Sequence, residues 1–153
     1  MKWSLIILIC LVLGWQEKKP IEVAVIGFYN LENLYDTIDN PIVNDDEFTP
    51  EGAKHYTSEI YTNKLFKLAY VLKDFGVQAH PRGAAIIGVA EIENDTVLID
   101  LVNHFLLRNK KYKIIHFDSK DVRGVDVGLL YQSEYFHPYY AKALEVTLPG
   151  RSK

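Results

Sequence analysis

Short apolar runs rich in β-branched residues alternate along this chain with longer stretches in which apolar residues recur at helical spacing. Glu22 to Tyr29 (Glu-Val-Ala-Val-Ile-Gly-Phe-Tyr) is too short and too β-branched for a helix and reads as a buried strand. Asp36 to Tyr56 is acidic and rich in turn formers, which predicts a long loop, and long loops in small domains are usually functional or mobile. Thr57 or Ser58 then caps a helix. Tyr61, Leu65, Leu68, Leu72 and Phe75 form its apolar stripe, Glu59 complements its dipole, and Gly76 ends it. His80 to Gly83 is a turn and Ala84 to Ala90 a second buried strand. Asn94 or Asp95 opens a second helix with Val97, Leu98, Leu101, Val102 and Phe105 inward. Tyr112 to Phe117, Val125 to Tyr131 and Leu144 to Leu148 read as further strands, with Asp118 to Gly124 the turn of a hairpin.

This order of elements fits an α/β (α+β) fold with a mixed sheet. The first strand, helix and second strand make a crossover unit, which is right-handed and leaves its strands parallel. Their carboxyl ends therefore lie at one sheet edge, where open α/β sheets bind ligands. Asn30 and Glu91 sit at those two ends.

The first residues break the pattern. Lys2 precedes an apolar run from Trp3 to Trp15, and Gln16 to Pro20 turns polar. That is the layout of a secretory signal, with Val12 and Gly14 small enough for cleavage after Gly14. The run is shorter than the roughly 20 residues of a membrane span, although an uncleaved anchor is the alternative reading. Residues 1–19 are therefore assigned to a signal or anchor and 20–153 to a single domain, secreted or periplasmic, with no stable membrane span once the signal is cleaved. Cys10, the only cysteine, lies in the apolar run, so a cleaved chain has no disulfide, thiolate ligand or cysteine nucleophile. Net charge is −3, which excludes binding of nucleic acid by a global basic field but not by a local metal and a few basic groups.

Glu91 ends the apolar run as a hard oxygen ligand suited to Mg²⁺ or Mn²⁺. A solvated glutamate leading into a helix is the plainer reading. Asn30, both donor and acceptor, could orient a carboxylate or contact a phosphate oxygen, or simply form the turn after a strand. Glu93 reads as a dipole-complementing acid. Arg123, at a tight turn before a strand, suits bidentate phosphate contact, while a surface pair with Asp121 or Asp126 is the alternative. Asp45-Asp46-Glu47 lacks calcium-hand spacing and reads as a solvated loop. The histidines are scattered singly, which argues against zinc. No phosphate-binding loop, dinucleotide fingerprint or nucleophile elbow is present.

Three motifs, in order, resemble the endonuclease/exonuclease/phosphatase superfamily. They are Ile26-Gly27-Phe28-Tyr29-Asn30-Leu31-Glu32-Asn33, Ala85-Ile86-Ile87-Gly88-Val89-Ala90-Glu91 and Arg123-Gly124-Val125-Asp126-Val127-Gly128-Leu129-Leu130-Tyr131. The wording from Phe28 to Asp36 and the later Asp-Glu-Phe-Thr-Pro-Glu-Gly are similar to secreted bacterial members. The resemblance implies a two-sheet α/β sandwich with helices on the outer face. It implies Asn30 in the active centre and Glu91 as the ligand of Mg²⁺ or Mn²⁺. Arg123 would contact a phosphodiester substrate, nucleic acid first, and no protein partner is implied. The family's Asp-x-Asn and Asp-His pairs, which supply the base, find no counterpart after Tyr131, and Ala90 stands where many relatives have glutamine. The expectation is the N-terminal half of a metal-dependent phosphoesterase, most of all an endonuclease. A lipid or sugar phosphatase or phospholipase of the same superfamily, or a non-catalytic periplasmic binding fragment, are the alternatives.

Overall fold

A computed structural model describes residues 23–144. The proposed signal, residues 1–19, and nearly all of the strand expected at Leu144 to Leu148 lie outside the described residues. Among the described residues no helix is long and apolar enough to cross a membrane.

The elements are β1 (Val25–Leu34), a 3-10 turn (Asp46–Phe48), α1 (Ser58–Lys73), β2 (Ala84–Ile92), α2 (Asp95–Asn103), a second 3-10 turn (Arg108–Lys110), β3 (Tyr112–Phe117) and β4 (Asp126–Gln132). The four strands form one mixed sheet in the order β1-β2-β4-β3. β1 and β2 are parallel, as the helical crossover requires, and β4 lies antiparallel to both β2 and β3. The fold is thus α/β with a mixed sheet.

Both helices cover the same face. The core joins Leu65, Leu68, Ala69 and Leu72 of α1 and Val97, Leu98, Leu101 and Val102 of α2 to Ile87, Val89, Ile92 and Leu130 of the sheet. Thr57 caps α1 by accepting the Ile60 N–H, and Asn94 caps α2 by accepting that of Val97. Tyr61 of α1 donates to Asp100 of α2 at 2.7 Å and locks the helices together. Gly128 lets α2 come close: a Cβ there would lie 2.8 Å from Leu98 and 3.2 Å from both Ile92 and Val89.

Four boundaries differ from the sequence pattern. α1 ends at Lys73, and the backbone reverses later, at Gly76 with φ +80°. α2 stops at Asn103, so Phe105 lies outside it and is exposed, beside His104 and Phe66. β1 and β2 continue past Tyr29 and Ala90, because Leu34 re-pairs with Ile92 beyond an irregularity.

The face away from the helices is only partly covered among the described residues, where Pro138 and Tyr140 line a cleft with Phe117 and Val127. Ile26 and Phe28 of β1 are 67% and 65% exposed, and Val127 of β4 is 54% exposed. A strand that reads as buried on both sides by composition is buried here on one.

Candidate functional site

The site begins where β1 and β2 leave regular pairing. Asn30 faces Ala90 and Leu34 faces Ile92, so Leu31, Glu32 and Asn33 bulge opposite Glu91 alone. On its other side β2 also carries one residue too many: Ala90 pairs with Val127 and Ile92 with Asp126, which leaves Glu91 extra. Bulges of this kind re-aim side chains and collect next to active sites.

Glu91 adopts φ +58°, and Glu32 and Asn33 adopt +52° and +60°. The left-handed region favours glycine, and a residue with a Cβ there costs about 1–2 kcal/mol. Three such residues side by side at one strand edge are the kind of strain that gathers at functional sites. Glu91 is half-buried, and no hydrogen bond or ion pair engages its carboxylate among the described residues.

Asn30 is fixed by its own turn. Its Oδ1 accepts the Glu32 N–H at 2.7 Å, the residue is exposed, and its Nδ2 donors are left without a hydrogen-bond partner among the described residues. Lys64, from α1, donates to the main-chain carbonyls of both Glu32 and Asn33, the latter at 2.8 Å. Burial pushes its ammonium down from the usual lysine range, against the pull of Glu32 and Glu91.

Glu93 does more than complement a dipole. It is buried, and its Oε2 accepts the Asp36 N–H at 2.7 Å. Asn94 donates to Asp36 in turn at 3.3 Å. Burial first, then the neighbouring charges of Asp36 and Asp45, push the Glu93 carboxyl up to about 7, against its hydrogen bonds.

The long loop is packed rather than free. Phe48 stacks on Tyr35 with ring centroids 3.9 Å apart and meets Tyr56 edge-on at 5.6 Å, and Val125 completes this second cluster. Asp45 is buried and accepts the Asn40 N–H, which corrects its expected place in a solvated loop: the carboxylate organises the turn from inside. The Tyr56 hydroxyl is buried without a hydrogen-bond partner among the described residues.

Arg123 reaches the same edge on the β3–β4 turn. Tyr35 donates to its carbonyl at 2.7 Å, and the Asn44 N–H donates to the Val122 carbonyl at 2.9 Å. Its guanidinium binds Asp121 through Nε at 3.0 Å and Nη2 at 2.9 Å, the surface pair that the sequence also allowed. Asp121 raises the basicity of Arg123 further, and the charges of Tyr35 and Glu91 reach it as well. The structure therefore places Asn30 beside the Glu91 bulge and Arg123 on a loop tethered to the end of β1.

One group escaped the sequence reading. His116 Nε2 lies 2.9 Å from Asp126 Oδ2, and His116 Nδ1 lies 3.9 Å from Asp118 Oδ1. One ligand atom from each of these three residues lies within 4.8 Å of the others, so together they could hold a metal ion. Asp126 is buried and also accepts the Ser119 N–H at 2.6 Å. No local spacing announces this set, because the hairpin brings the end of β3 against the start of β4. The available signal was the short Asp118–Gly124 turn, which leaves His116 and Asp126 near each other across the ladder.

Over residues 25–153 the chain matches the model of the Endonuclease/Exonuclease/phosphatase family. No curated protein and no solved structure matches it.

Proposed function

Since the chain belongs to the Endonuclease/Exonuclease/phosphatase family, whose members are hydrolases acting on phosphoester bonds, we propose that it serves a metal-dependent phosphodiesterase, an endonuclease before all else. The observation that carries this reading is Glu91: a carboxylate with no hydrogen-bond or ion-pair partner among the described residues, held in a left-handed bulge at the carboxyl edge of the sheet. Such an oxygen fits Mg²⁺ or Mn²⁺, and the family is generally dependent on divalent metal. The ion, when bound, polarises the phosphoryl oxygen and stabilises the leaving group.

The protein's own groups do the positioning. Asn30 has one lone pair of Oδ1 committed to Glu32, so it turns its Nδ2 donors to the scissile phosphate and keeps a second lone pair for the ion. Arg123 spends Nε and Nη2 on Asp121, which leaves Nη1 to meet a backbone phosphate. His116, Asp118 and Asp126 offer a second place for a divalent ion at the same sheet edge. Export through the apolar N-terminal run would put the activity outside the cytoplasm.

The test is a substrate panel with Mg²⁺ or Mn²⁺: plasmid DNA, a small aryl phosphodiester, and lipid and sugar phosphates. Nicking of DNA that disappears in Glu91→Ala, with the fold retained, supports the endonuclease. Turnover confined to lipid or sugar phosphates moves the assignment to a phosphatase or phospholipase. Undiminished turnover in Glu91→Ala removes Glu91 from the site.

A further inference from the structure

We infer that Lys64 is a positioning residue of this site, its ammonium clamping the two left-handed residues that set Asn30 and the Glu91 bulge side by side. α1 carries Lys64 behind the ends of β1 and β2, half-buried, and its Nζ meets the carbonyls of Glu32 and Asn33 together. Glu32 and Asn33 both lie in the left-handed region; the Tyr35 N–H also reaches the Asn33 carbonyl, at 3.1 Å, and Lys64 is the side chain that meets both carbonyls at once. An ammonium offers three donors and favours both. The same turn supplies the Glu32 N–H that fixes the Asn30 amide.

The charge surroundings agree with the geometry. Glu32 and Glu91 face the ammonium as acids, and Lys54 is the opposing cation. A lysine kept in a half-buried place against its desolvation cost, bonded to main chain rather than to a carboxylate, serves the shape of that main chain. Groups that orient a ligand from behind are commonly worth about ten- to a hundredfold in metal affinity.

The inference rests on Glu91 and Asn30 being the site, and the experiment separates the two. Mn²⁺ binding is titrated on the native chain and on Glu91→Gln, Lys64→Met and Lys64→Arg, while amide exchange is followed at Glu32, Ile87 and Val89. Lys64→Met is expected to weaken Mn²⁺ binding about tenfold and to speed exchange at Glu32, with Ile87 and Val89 unchanged. Lys64→Arg, which keeps the charge and donors, recovers most of both. Exchange that speeds equally at all three amides shows a general loss of stability and overturns the positioning role. So does unchanged exchange at Glu32, or unchanged Mn²⁺ affinity in Lys64→Met where Glu91→Gln has lost it. Mn²⁺ binding that survives Glu91→Gln removes the metal reading alone, and exchange at Glu32 then decides whether Lys64 holds the turn.

Discussion

Glu91 occupies a backbone position that glycine would fill more easily, and that conflict makes a sharp forecast. Glu91→Gly relieves the left-handed strain and is expected to raise stability by about 1 kcal/mol, while metal binding and turnover are lost. Denaturant midpoints set against a Mn²⁺ titration read both effects. A second single-residue effect belongs to Glu93. Unfolded, this carboxyl titrates near 4.5; folded, near 7, so between those values the folded chain holds the extra proton. Stability therefore falls as pH rises through that window, by about 1 kcal/mol per pH unit, and levels off above it. Glu93→Gln, which keeps an acceptor for the Asp36 N–H, should flatten the slope in urea midpoints taken across the window.

The contact between β4 and α2 depends on the absence of a side chain. Gly128→Ala would push a methyl to within 2.8 Å of the Leu98 Cδ1, where real Cβ atoms do not sit, and the tip of that fully buried side chain must shift. A loss of about 1–3 kcal/mol in thermal or urea unfolding is expected, as for other overpacked cores. At this scale the sequence was largely readable. Short β-branched runs, period-two alternation and helical spacing located the four strands and two helices of the described residues, since Leu65, Leu68 and Leu72 recur at helical spacing and Val25 to Tyr29 cannot. The caps at Thr57 and Asn94 followed from side-chain chemistry. The bulges did not, because a left-handed glutamate runs against its own propensity and is imposed by pairing on both flanks of β2. The burial of Glu93 and Asp45, and the meeting of His116 with Asp126, arise from loop packing and hairpin closure, which no local window contains.

Taken whole, the sheet has one face covered by helices and one that is partly exposed among the described residues. Ile26, Phe28 and Val127 put apolar surface on the side away from the helices. Contiguous apolar surface of this kind binds hydrophobic dyes. The native chain should enhance anilinonaphthalene sulfonate fluorescence, and Ile26→Thr with Phe28→Thr should cut that signal while urea midpoints stay nearly unchanged. The strand order β1-β2-β4-β3 carries a different consequence, for the chain as it is being made. β3 is synthesised before β4 yet lies outside it, so it cannot attach to β2 directly. One flank of β2, from Ile86 to Ala90, waits with its backbone groups open until β4 has emerged to pair with it. A nascent chain whose β4 has not yet emerged holds out an apolar strand edge to any neighbouring chain, and the pairing of Asp126 to Gln132 with β2 closes it.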